Sequence, residues 1–264
     1  MITLKGCTAL ITGASSGIGA ELASQLAPHA RSLLLVARRM ERLEALKARI
    51  ARPGLTVHCL EADLADESST TALLEKIAAT GEPINFLVNN AGLGDHSLFE
   101  ASDWGRVKAM LDVNITALTR LTHALVPALV QTGRGAILNV SSIASLIPVP
   151  NMAVYAATKA YVTSFSEALR AELRGSGVSV TALCPGPVDT EFFTLAERGD
   201  EVMHTPGFFK VPVALVARRG LEAVARGRTR VIPGWLVATV MTVATLIPIV
   251  VLRQFLPRGR RGGG

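Results

Sequence analysis

With 264 residues, 49% of them hydrophobic and 18% charged, the chain has the length and composition of one large α/β domain, neither a disordered chain nor a disulfide-stapled module. Three cysteines (Cys7, Cys59, Cys184) sit far apart in apolar runs, match no metal-ligand spacing, and are expected as buried thiols in a reducing compartment. The net charge of +6 comes largely from arginines beside a C-terminal apolar stretch; with aromatics at 5% and no interleaved basic helix, nucleic acid is excluded as a partner.

Apolar runs of strand length alternate with helical patterns. Residues 7–12 read as a first strand, which Gly13 interrupts before a signal peptide can develop. A helix over 17–27 stops at Pro28. A buried strand follows over 32–37, then an amphipathic helix over 39–51 with Leu43, Leu46 and Ile50 on one face. Residues 56–60 are a third strand, 68–79 a third helix and 84–89 a fourth strand. A long helix spans about 104–130, a fifth strand 136–141, another long helix 153–174, and a sixth strand 178–183. Nearly continuous apolar strands alternating with helices predict an α/β, single-domain Rossmann fold: a doubly wound parallel sheet with helices on both faces. The expected division is a catalytic domain over 1–230, in which a less regular, helical region at 190–228 overlies the carboxyl ends of the strands. An apolar segment (231–256) and a disordered tail (257–264) complete it.

The turn after the first strand reads Thr12-Gly13-Ala14-Ser15-Ser16-Gly17-Ile18-Gly19. Strand, glycine turn and helix form the context for dinucleotide binding. The glycines let backbone approach a pyrophosphate, and the helix start offers free N–H groups. The second strand ends in Ala37, Arg38 and Arg39. An NAD site often places an acid there; an arginine suits a 2′-phosphate, which favours NADP(H) over NAD(H).

Tyr155 and Lys159 stand one helical turn apart, with Ser142 thirteen residues before the tyrosine. The phenol's ordinary pKa near 10 makes it a poor acid or base at neutral pH. A nearby ammonium is expected to lower it. Ser142 can bond a substrate oxygen. Phenol, ammonium and hydroxyl beside a nucleotide turn point to proton-coupled hydride transfer at a carbonyl. Leu146, Val149, Met152, Phe192, Phe193 and Leu195 are expected around the substrate mouth, which would favour a lipophilic ketone or alcohol.

These motifs, in this order over about residues 4–190, resemble the short-chain dehydrogenase/reductase (SDR) family. The resemblance implies a cofactor turn formed by Gly13, Ser15, Ser16, Gly17, Ile18 and Gly19, with Arg38 and Arg39 beside it. It implies adenine contact by Asp63 and Leu64, a pocket shaped by Asn90, Ala91 and Gly92 after the fourth strand, and nicotinamide contact by Pro185, Gly186, Val188 and Thr190. Tyr155 would be the acid/base, Ser142 the donor that orients the carbonyl, and Lys159 the group that holds the nicotinamide ribose and polarises Tyr155. Asn114 would hold a water linking Lys159 to solvent. Ser141 rivals Ser142, but the family's serine-to-tyrosine spacing selects Ser142. One departure exists: many NADP-preferring members carry a basic residue just before the second glycine, where this chain has Ser16.

The expected activity is thus NADP(H)-dependent interconversion of a carbonyl and an alcohol. The alternatives are an NAD(H)-linked alcohol or polyol dehydrogenase, an acyl-chain reductase, and a non-catalytic NADP-binding sensor or scaffold. A homo-oligomer, dimer or tetramer, would pair through the two long helices, in the cytoplasm. Residues 231–252 carry no charge across 22 positions and have arginines on either side. Trp235 could anchor them at an interface, whereas Pro248 and the threonines 239, 242 and 245 oppose spanning. Lid, oligomer contact and membrane association stay open for this segment.

Overall fold

The computed structural model describes residues 4–192 and 210–247. Phe193, Leu195, Pro248 and the tail at 257–264, like the end of the apolar segment, lie outside the described residues.

Seven parallel strands form one sheet in the order β3-β2-β1-β4-β5-β6-β7. They are β1 (Thr8–Thr12), β2 (Ser32–Ala37), β3 (Thr56–Glu61), β4 (Phe86–Asn89), β5 (Gly135–Val140), β6 (Val178–Leu183) and β7 (Arg230–Val231). The helices are α1 (Gly17–Leu26), α2 (Met40–Ile50), α3 (Glu67–Ala79), α4 (Trp104–Leu111), α5 (Leu118–Thr132), α6 (Ala153–Glu172), α7 (Val213–Ala225) and α8 (Trp235–Leu246). The central strands are buried throughout, and apolar side chains of both parities feed two cores. In β2, Leu33 and Leu35 face one core with α1, α2 and α7; Leu34 and Val36 face the other with α3 and α5. Strand order reverses where β1 pairs with both β2 and β4, which opens a crevice at their carboxyl ends.

The local stops are chemical. Asp66 caps α3 by accepting from the Ser68 N–H, and Asp103 caps α4 by accepting from Arg106. Gly133, at φ +64°, closes α5 in the left-handed conformation. The single helix expected over 104–130 is instead α4, a π-helical turn at Asp112–Ala117, and α5. The wider turn carries Asn114 to the backbone at Leu93. By length and composition the Trp104–Thr132 stretch could cross a membrane. It packs on the sheet instead, burying Leu118, Leu121 and Leu129.

Periodicity did not announce β7. Two residues have no period, yet Arg230 and Val231 pair with Ala182 and Leu183. Val231 therefore belongs to the sheet, and the helix of the apolar segment begins only at Trp235.

Candidate active site

At the end of β1 the chain must turn tightly to start α1. Gly13 and Gly17 take φ of +65° and +54° to do so. A Cβ on Gly13 would sit 2.8 Å from the Asn90 amide nitrogen, and one on Gly19 would collide with that nitrogen and with the Gly13 carbonyl. These glycines are thus required first by the chain itself. Asn90 Nδ2 donates to Thr12 O (2.9 Å) and Gly13 O (3.1 Å), while the Asn90 and Ala91 N–H groups both donate to Thr12 Oγ1 (3.0 Å each). Through this lattice the β1 turn and the loop after β4 are one unit. Sequence reasoning missed Thr12, although its place before Gly13 was the available signal.

The N-terminus of α1 has no side-chain cap: the Ser16 hydroxyl makes no capping bond. The first-turn amides and their partial positive charge face the crevice, a ready anion site. Arg39 brings a guanidinium to this point, donating to Ser15 Oγ (3.3 Å) and Ser16 Oγ (3.2 Å). Arg38 turns elsewhere; it is largely exposed and 4.0 Å from the Asp63 carboxylate. Asp63 also accepts from the Ala65 N–H, and Leu64 packs into the second core. Glu191 bridges Arg39 (3.1 Å) and Arg42 (2.6 Å), and both arginines hold its carboxyl below the usual range.

After β6, Pro185 and Gly186 are buried. The Pro185 carbonyl accepts from Ile143 N–H (3.0 Å), tying this segment to the turn that carries Ser142. Val188 is buried in the first core. A Cβ on Gly17 would lie 3.2 Å from the Thr190 methyl, so the segment closes back over the glycine turn.

Ser142 follows β5 and starts a 3-10 turn, accepting from the Ala144 N–H at 3.1 Å. The same hydroxyl is close enough to the Tyr155 phenol to pull its pKa down against burial. Ser141 is engaged differently: its hydroxyl donates to Lys159 O (2.9 Å) and meets Thr163 Oγ1 (2.7 Å), fastening α6 to β5. Ser142 is therefore the one beside the phenol. Tyr155 and Lys159 are 7% and 4% exposed. Lys159 Nζ donates to Val140 O (2.9 Å) and lies 5.8 Å from the Tyr155 ring centre.

The expected lowering of the phenol does not appear in the chain alone. Burial pushes Tyr155 up to about 12, with Ser142 pulling the other way, and burial lowers Lys159 to about 8. Desolvation is the largest cause for both groups. Asn114 also differs from expectation. Its Oδ1 accepts from Leu93 N–H, and its Nδ2 donates to Leu93 O and Thr158 Oγ1. It locks the loop after β4 to α6, and it meets Lys159 only across Gly92, whose Cβ would lie 3.3 Å from Asn114 Oδ1 and 3.2 Å from Lys159 Nζ.

Around Tyr155 lies a small apolar cluster: Met110 and Met152 are buried, with Leu93, Val149, Val154 and Phe192 packed on them. The Phe192 ring is 5.5 Å from that of Tyr155. Leu146, expected here, is partly buried against the first core instead, at the end of the 3-10 turn. A cleft beside Tyr155 is also lined by Asp95, Ser97 and Asn151, which were not anticipated. Buried Asp95 accepts from Ser97 Oγ (2.7 Å) and pairs with Arg106 (3.3 Å). Burial raises all three thiols, Cys7 and Cys59 to about 11; Cys7 and Cys184 are buried, whereas Cys59 is half-buried and is also raised by Glu44.

Comparison with known proteins matches this geometry. The profile of the short chain dehydrogenases covers residues 7–200. A sulfoacetaldehyde reductase of Chromohalobacter salexigens is 40% identical over 214 residues, 78% of this chain and 82% of that protein. A short-chain dehydrogenase from Sphingobium yanoikuyae, solved in complex with NADPH, superposes with a TM-score of 0.81 at 34% identity, covering 97% of this chain and 98% of the other. The bulky-bulky ketone specific alcohol dehydrogenase from Comamonas testosteroni gives 0.77 at 28% identity over 97% of each chain.

Proposed function

This chain belongs to the short-chain dehydrogenase family, and from that premise we propose that it is an NADP(H)-dependent oxidoreductase interconverting a lipophilic ketone and its alcohol. The observation that carries the proposal is the buried Tyr155 phenol with Ser142 beside it and Lys159 one turn away, 5.8 Å from its ring centre, together with the uncapped start of α1.

An uncapped helix start behind a glycine turn, with a guanidinium at its side, fits a dinucleotide diphosphate. In this reading Gly13, Ser15, Ser16, Gly17, Ile18 and Gly19 hold the diphosphate, and Arg38 and Arg39 the 2′-phosphate. Asp63 and Leu64 flank the adenine. Asn90, Ala91, Gly92 and Lys159 hold the ribose on the nicotinamide side, and Pro185, Gly186, Val188 and Thr190 the nicotinamide. Arg39 answers the family departure at Ser16, since its guanidinium reaches that position from β2. When bound, the dinucleotide supplies or accepts the hydride. The NADPH bound by the Sphingobium relative supports NADP(H), with NAD(H) as the alternative.

Tyr155 gives the proton to the substrate oxygen in reduction and takes it back in oxidation. A phenol raised to about 12 carries its proton at neutral pH, the form a donor needs, although burial makes it a weaker acid than a free tyrosine. Ser142 donates to the same oxygen. Lys159, small in exposure and bonded to Val140 O, is held beside the phenol rather than free to swing. Asn114 is a positioning residue that fixes Leu93 and Thr158.

The apolar cluster of Met110, Met152 and Phe192 favours a bulky lipophilic substrate over a small anionic aldehyde. A cytoplasmic setting suits three free thiols. The proposal includes a homo-oligomer paired through α4–α5 and α6, and association with a membrane through 231–256.

The test is oxidation of NADPH and NADH against ketones and aldehydes graded in chain length. Wild type should turn over NADPH on the longer ketones, and Tyr155→Phe should not. Arg38→Asp and Arg39→Asp should each shift preference towards NADH. Intact NADPH binding with no turnover on any carbonyl would overturn the enzymatic reading. Glu191 competes for Arg39, so Glu191→Gln should tighten NADPH about threefold and leave NADH unchanged.

A further inference from the structure

α8 is an uncharged helix set on the body by one face. Val237 and Met241, four residues apart, are buried in the first core. Gly234, at φ +88° and closely approached by Val211, fixes where the helix starts. The opposite face carries Trp235 (81% exposed), Val243 (55%) and Leu246 (79%). Threonines 239 and 242 share that face. Their hydroxyls donate back to Trp235 O (2.8 Å) and Ala238 O (2.7 Å), so they need no water partner. The polar edge that opposed membrane contact is thereby neutralised.

The charge around α8 has one sign. From residue 223 onward the sequence holds seven arginines and no acidic residue. Arg226 and Arg228 are exposed and make no ion pair among the described residues. A second exposed apolar group, Leu98, Phe99 and Trp104, lies instead in a stretch with Glu100 and Asp103.

We propose that the outer face of α8 lies in the interface of an anionic phospholipid bilayer, parallel to its plane. This deepens the membrane reading of 231–256 by naming the lipid class and the mode. Twelve residues span about 18 Å, short of a hydrocarbon core of about 30 Å, and the inner face is already committed to the protein. Arginines add attraction to acidic headgroups. A two-fold contact through α8 would bring together flanking segments of like charge, with no acidic residue from 223 onward to offset them. That disfavours a second copy as the occupant.

The experiment is sedimentation of the full chain with vesicles of phosphatidylcholine alone, and of equal parts phosphatidylcholine and phosphatidylglycerol. Binding to the anionic vesicles, release by salt, and a fluorescence blue shift of Trp235 in a Trp104→Phe background are expected. Trp235→Ser/Leu246→Ser should abolish binding with an unchanged melting temperature, since both side chains are exposed. Arg226→Gln/Arg228→Gln should weaken it about tenfold or more. Equal binding to both vesicles would overturn the anionic inference and leave the membrane reading standing. Binding to neither would overturn both. Dissociation of a lipid-free oligomer by the double serine variant would show that a second copy covers the face, and would overturn the proposal.

Discussion

α6 and α8 invert each other. α6 carries Tyr155, Thr158, Lys159, Thr163 and Ser166 and buries all five, whereas α8 is almost wholly apolar and leaves Trp235, Val243 and Leu246 outside. Ordinary packing would have put the polar set out and the apolar set in. Each inversion costs stability and so points to a task beyond folding. The difference lies in compensation. On α6 four of the five have hydrogen-bond partners: Ser166 Oγ accepts from Asn139 Nδ2 at 2.9 Å, Thr163 meets Ser141, Thr158 accepts from Asn114 and Lys159 donates to Val140 O. On α8 no partner covers the outer face among the described residues.

The sharpest test of this contrast is chemical. Tyr155→Phe removes one oxygen from a buried ring and is expected to lower kcat by about 10²–10⁴-fold with NADPH binding retained. A variant that kept its rate would reduce α6 to a structural helix.

Next in size is a pH effect. Burial lowers Lys159 from 10.5 to about 8, so between those values the folded chain binds fewer protons than the unfolded chain. Stability from this group therefore rises with pH across that window, by up to about 3 kcal/mol. Tyr155, raised from 10.0 to about 12, has the opposite sign: above pH 10 the folded chain holds the extra proton and stability falls. Denaturant melts of the cofactor-free protein between about pH 7 and 10 should show wild type gaining on Lys159→Met; parallel curves would mean that the ammonium is better solvated than its burial implies.

Smaller again is Ser166→Ala, which leaves Asn139 Nδ2 buried without its acceptor and should cost about 1–3 kcal/mol in the same melts. Smallest is Trp235→Ser/Leu246→Ser, expected within about 0.5 kcal/mol of wild type, because neither side chain is part of the core. A large loss there would place α8 in the fold rather than on its surface, and the inversion would vanish.

Much of this was legible in the chain. The bounds of β2 and β6 were readable to the residue, because a run of six mostly apolar residues between breakers reads as a buried strand. The glycine turn and the one-turn separation of Tyr155 and Lys159 were readable from spacing, whereas the choice of Ser142 over Ser141 rested on the resemblance to the family. The π-helical turn at Asp112–Ala117 was not legible, because it depends on Asn114 finding the Leu93 backbone across the loop. Neither was Arg39's reach to Ser16, nor Leu146's packing on the first core, nor the pairing of buried Asp95 with exposed Arg106 near the phenol.

The sequence by itself determined the alternation, the two-faced sheet and the chemistry-bearing residues, because these rest on local period and residue type. Only the tertiary structure decided the environments. It made Gly13 and Gly19 obligatory through Asn90, gave Ser141 and Ser142 different duties, and turned Tyr155's pKa upward rather than down. It also left one face of α8 outside. Hydrogen-bond partners, desolvation and exposure come from residues distant in the chain, and no local pattern encodes them.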